Sequence, residues 1–139
     1  MVKAVNPWVH VDPRWPSEST PLSHAFVCKP KEMIFVAGQV AEDPKTKEIV
    51  GIGDLEVQVR KVHENLKAVL DAAGATLKDV VKTQMFVRED CVDQDKLDIL
   101  RKVRREYFTE PYPPNDFWVA KQLAHKDYLI EISAIAVKE

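Results

Sequence analysis

The sequence lacks most of the features that would fix a function at a glance. It has only two cysteines in 139 residues. Cys28 and Cys91 stand far apart, without the CxxC spacing of a metal or redox motif. That usage suits a reducing cytoplasm, the expected location, better than a disulfide framework. Cys28 is expected to pack in the first strand, and Cys91 to lie in a loop as an exposed thiol. The four histidines, His10, His24, His63 and His125, are scattered. They form no HxxxH pair or Cys/His cluster, so no structural metal is expected. Charge of one sign is also missing: the formal net charge is −2, which gives no global attraction to nucleic acid or an anionic membrane. No apolar run approaches the roughly 20 residues that span a bilayer, and the N-terminus lacks the apolar stretch of a signal peptide.

What is present is the composition of an ordinary globular chain, 45% hydrophobic and 30% charged. A chain of this length can bury one core without cross-links, so residues 1–139 are read as one domain. Pro7, Pro13, Pro16 and Pro21 disfavour helix in residues 1–22, which are expected to form an extended arm. Trp8 and Trp15 should pack that arm against the body or a neighbouring subunit. His24 to Lys29 and Met33 to Val40 read as a β-hairpin around Pro30-Lys31-Glu32. A polar turn follows at Glu42 to Glu48. Asp54 can cap a helix whose apolar stripe is Leu55, Val59, Val62, Leu66, Val69 and Leu70, with Gly74 as its stop. Val80 to Val87 is a strand with Val81, Thr83, Met85 and Val87 on one face. A second helix runs from about Gln94 to Phe108, with Leu97, Leu100, Val103, Arg104 and Tyr107 along one side. Phe117 to Leu123 and Tyr128 to Val137 are the last strands. In the final one Leu129, Glu131, Ser133 and Ile135 share a face opposite Ile130, Ile132, Ala134 and Ala136. The order β-β-α-β-α-β-β gives an α+β fold, a mixed sheet with both helices on one face.

Several stretches resemble the RidA/YjgF (reactive-intermediate deaminase) family in order. They are Ser23-His24-Ala25, the strand Met33 to Gln39, Asp43-Pro44-Lys45-Thr46, Ala72 to Lys82, Tyr107-Phe108-Thr109-Glu110, and Ile130 to Val137. Together they cover residues 23–139. The resemblance implies a chorismate-mutase-like fold and a homotrimer whose sheets form a central barrel, with clefts between subunits. It also implies a small-molecule substrate and cofactor-free hydrolysis of enamines or imines to a 2-keto acid and ammonia. There an arginine clamps the substrate carboxylate and a glutamate on the last strand positions water.

Glu131 matches that glutamate, and it is also a lone carboxylate in an apolar strand, where burial would raise its pKa. The competing reading is a surface glutamate paired with a lysine across the strand. The arginine is missing: the aromatic-Pro-X-Arg pattern reads Tyr112-Pro113-Pro114-Asn115, and a neutral amide cannot replace a charged fork. Other departures fall in the same expected cleft. Leu22, or His24 if one gap moves, replaces a tyrosine; Ala37 replaces the serine before Gly38; Phe117 replaces a small residue or cysteine. Arg101 stands where the family often has asparagine, and with Arg104 or Arg105 one turn on it could reach a carboxylate from the helix. The alternative is a basic solvated face paired with Glu106 and Asp98. Lys121 and Gln122 are expected on the strand surface.

Three functions remain open on these residues. One is a deaminase or related hydrolase of a specialised enamine or imine, such as an aminomuconate-type intermediate. Another is a non-catalytic small-molecule-binding or regulatory trimer. RNA cleavage or translation inhibition is the third and has least support, because no aromatic-plus-basic platform is visible.

Overall fold

The computed structural model describes residues 2–11 and 19–139; Trp15 lies outside them. Among the described residues, six strands and two long helices run in the order β1 (Lys3–Val5), β2 (Ala25–Val27), β3 (Glu32–Gln39), α1 (Leu55–Ala72), β4 (Val80–Arg88), α2 (Gln94–Tyr107), β5 (Asn115–Ala120) and β6 (Ile130–Lys138).

Helix α1 starts and stops where its sequence directs. The Asp54 carboxylate accepts from Val57 N, which satisfies one of the amides that a first turn leaves open. At the other end Gly74 takes φ +78°. This lets Gly74 N reach Asp71 O and Ala75 N reach Leu70 O, a pair of bonds that closes the last carbonyls. Leu55, Val59, Val62, Leu66 and Leu70 are buried on one stripe. Helix α2 begins with Asp93, whose carboxylate accepts from Lys96 N, and buries Leu97, Leu100, Arg101, Val103 and Arg104.

The main sheet has the order β3-β6-β4-β5, with β6 antiparallel to both neighbours and β4 parallel to β5. Ile130, Ile132, Ala134 and Ala136 of β6 face the core together with Val36 of β3 and Met85 and Val87 of β4. The mixed sheet backed by two helices is thus the expected α+β fold. Two side-chain amides, Gln58 buried and Asn65 half-buried, position the ends of its strands. Gln58 donates to Asp127 O and accepts from Leu129 N, both at 2.8 Å, and so sets where β6 begins. Asn65 donates to Val40 O and Glu42 O and fixes the exit of β3.

Three local expectations are corrected. Residues 24–29 and 33–40 do not pair as a hairpin: β2 pairs with β1 instead, Lys3 opposite Val27 and Val5 opposite Ala25. The apolar alternation of β2 is equally satisfied by either partner, so the sequence left that choice open. Val81 does not share the face of Thr83, because a bulge between Val80 and Lys82 turns Val80 inward. Strand β5 starts at Asn115 and ends at Ala120, so Lys121 and Gln122 lie beyond it. Trp8, 64% exposed, rests at a tilt against the His24 ring, with a centroid distance of 4.6 Å.

Candidate functional site

The residues expected at the site fall into two clusters. The first is built on β6 and β3. Glu131, two residues after the Leu129 amide that Gln58 holds, lies half-buried with its carboxylate against Gly38. A Cβ on Gly38 would stand 2.5 Å from Glu131 Oε2 and 2.6 Å from its Cδ, so only glycine leaves the carboxylate this place. Gly38 sits where β3 breaks register between Val36 and Gln39, and the neighbouring Ala37 carbonyl accepts from Gln39 Nε2. Among the described residues no lysine pairs with Glu131; its cross-strand neighbour is Phe86.

The second cluster is a cavity of about 320 Å³ between α2, β5 and the arm. Leu97, Leu100, Met85, Phe117 and Leu22 give it apolar walls, and Arg101, Arg104, Asn115 and His10 line it with polar groups. Arg104 is only 4% exposed. Its guanidinium donates through Nε to Pro21 O at 2.8 Å, through Nη1 to Thr83 Oγ1 at 3.1 Å and through Nη2 to Pro113 O at 2.8 Å. The cation also stands 4.9 Å over the Phe108 ring. All of these partners are neutral. Burial lowers its pKa to about 10, which still leaves it a cation at neutral pH. Thr83 passes the arrangement on, donating to Asn115 Oδ1 at 2.7 Å. With that oxygen occupied, Asn115 has its Nδ2 hydrogens left to offer. Arg101 is 9% exposed on the same wall.

Strand register separates the two clusters. Asn115 and Phe117 pair with Thr83 and Met85, on the face of the sheet that carries the helices. Glu131 pairs with Phe86, and Phe86 with Trp118, on the opposite face. The structure therefore brings Leu22, Arg101, Asn115 and Phe117 together, and separately Ala37, Gly38 and Glu131. His24 joins neither: its ring packs between Trp8 and His10, and its backbone N donates to Asn6 Oδ1.

Two expectations about individual groups change. The α2 arginines do not form a solvated face, since Arg101 and Arg104 are buried and Glu106 pairs with Arg60 of α1. Cys91 is buried rather than exposed, and burial raises its thiol pKa to about 11, which removes it as a nucleophile. The cavity contributions of His10, Thr20 and Pro21 were not legible in the sequence, nor was the link that Thr83 makes between Arg104 and Asn115. That of Arg104 was partly so, because the 3.6-residue period put it on the apolar side with Leu97, Leu100 and Val103.

The comparisons with known proteins agree with this architecture. Residues 14–138 match the family described as Endoribonuclease L-PSP. The chain is 42% identical over 126 residues to a RutC family protein of Pyrococcus horikoshii, covering 89% of this chain and 92% of the relative. It is 35% identical over 109 residues to the 2-iminobutanoate/2-iminopropanoate deaminase of Salmonella typhimurium, covering 76% and 80%. A crystal structure of a Rid family protein of unknown function from Yersinia pestis superposes with TM-score 0.84 at 31% identity, covering 99% of this chain and 98% of that one. With fold, sequence and neighbours in agreement, the chain belongs to the endoribonuclease L-PSP family, the RidA/YjgF proteins.

Proposed function

We propose that this protein is a cofactor-independent deaminase of a 2-imino acid or its enamine, working at a site completed between copies of the chain. The observation that carries the reading is the Glu131–Gly38 contact, a carboxylate held against a glycine that leaves it room. A relative at 35% identity that is a 2-iminobutanoate/2-iminopropanoate deaminase supports the reaction class.

In the chemistry this implies, an enamine first gains a proton on carbon to become the imine. Glu131 takes a proton from water as the water oxygen attacks the imine carbon, and that proton passes to nitrogen. The resulting carbinolamine passes its hydroxyl proton to nitrogen as the C–N bond breaks, releasing ammonia and giving the 2-oxo acid. Charged and amide donors for the substrate carboxylate lie in the α2 cavity, on the other face of the sheet from Glu131. One substrate touches both only if a neighbouring copy brings its own cluster. That supports the expected homotrimer, as does the apolar open face of the sheet, where Phe35 is 70% and Trp118 51% exposed.

A second reading, a non-catalytic small-molecule-binding trimer, is favoured by the neutral Asn115 where an arginine is expected. RNA cleavage gains nothing from the α2 arginines, because Arg101 and Arg104 are buried at the α2 cavity and offer no basic platform on the surface. Ammonia release from 2-aminoacrylate and from a bulkier 2-amino dienoate separates the two main readings. Wild type should turn over at least the larger compound, with Glu131→Ala slower by about 10²- to 10⁴-fold. Silence on both, with turnover gained in Asn115→Arg, would instead establish the binding protein.

A further inference from the structure

We infer that the α2 cavity selects monocarboxylates with a branched or aromatic apolar body, with Arg101 as the partner of the carboxylate and Thr20 to Leu22 as the wall that sets size. The inference takes the cavity to be the substrate half-site of the proposed reaction and specifies what enters it.

Three observations combine. The first is charge. Arg101 and Arg104 both line the cavity, and no acidic side chain lines it among the described residues. Arg104 spends its donors on Pro21, Thr83 and Pro113, so it adds positive potential and shape rather than a direct ligand bond. Arg101 is the second guanidinium on the cavity wall, placed to meet the carboxylate. Its five N–H donors can serve an incoming anion alongside contacts within the chain. Asn115 Nδ2 adds a neutral donor on the adjoining strand.

The second is size. The cavity of about 320 Å³ falls within the size range of small-molecule pockets. A three-carbon 2-imino acid would leave part of its apolar lining uncovered. The third is lining. Leu22, Met85, Leu97, Leu100 and Phe117 present apolar surface, which favours a ligand body that needs no hydrogen bonds. The Thr20 to Leu22 wall is tied down from α2, by Arg104 to Pro21 O and by Arg105 to Ser19 O. The size limit is therefore part of the fold.

The test is binding of unreactive 2-oxo acids to the wild-type protein by calorimetry: pyruvate, 4-methyl-2-oxopentanoate and phenylpyruvate. The bulky acids should bind at least about tenfold more tightly than pyruvate. Arg101→Ala should weaken them by about 10- to 100-fold, with Arg101→Lys in between. Because either variant could disturb folding, the methyl ester of 4-methyl-2-oxopentanoate on wild type gives a second readout. It should lose a similar factor. Pyruvate binding as tightly as the bulky acids overturns the size argument. An ester that binds as well as its acid, or a folded Arg101→Ala with unchanged affinity, overturns the anchor. Turnover enters none of these readouts. A protein that binds the bulky acids but releases no ammonia would refute the deaminase reading and leave this one standing.

Discussion

Among the described residues no acid neutralises Arg104; three oxygens from three different segments hold it instead. A lysine there could keep the charge but not the planar reach to all three. Arg104→Lys should therefore destabilise the fold by about 2–4 kcal/mol in urea unfolding, as one or two oxygens lose their donor. His63 makes a different prediction. It is buried, donates through Nδ1 to Val59 O when that nitrogen carries the proton, and stacks on Tyr107. Burial lowers its pKa to about 4 from 6.5. The unfolded chain then binds the proton first, so stability falls as pH drops from about 6.5 to about 4, by up to about 3 kcal/mol. Urea titrations at pH 7, 5.5 and 4.5 should show this slope, and His63→Leu should flatten it. At the site, Gly38→Ala pushes a methyl into the Glu131 carboxylate. Ammonia release should fall about 100-fold while the melting temperature changes little; an unchanged rate would mean that the contact does not position Glu131.

At the scale of the elements, the caps and stripes carry their own tests. Asp54→Ala should cost about 1 kcal/mol through the lost bond to Val57 N. Leu66→Ala, at a fully buried position of α1, should cost about 2–5 kcal/mol. Both are read from denaturant midpoints. These helices were legible because cap, stripe and stop all agree: Asp54, Leu55 through Leu70, and Gly74 give one answer at every level. Apart from β1, which was read as part of an extended arm, the strands were legible as strands but not in their pairing. Nothing local distinguishes β1 from β3 as the partner of β2, and the bulge after Val80 leaves no mark in an apolar run. The carboxylate and the departures around it were readable residue by residue, as Glu131, Asn115 and Phe117. Their division between two faces was not, since it depends on the parallel register of β4 and β5, a long-range fact.

The molecule as a whole has an open sheet face carrying Met33, Phe35 and Trp118, all exposed. Apolar surface so arranged is expected to be covered by further copies of the chain. Phe35→Glu should give a folded, smaller species by light scattering, and that species should lose deaminase activity with its Glu131 in place. The central claim is that Glu131 of one copy acts with the α2 cavity of another. Mixing two inactive proteins, Glu131→Gln and Arg101→Ala, and letting their subunits exchange tests it most directly. If the site is shared between copies, each protein alone is silent, and an equal mixture recovers about one quarter of wild-type ammonia release, since half of the copies supply each intact half-site. No recovery after demonstrated exchange would place both residues in sites of a single chain and contradict the account.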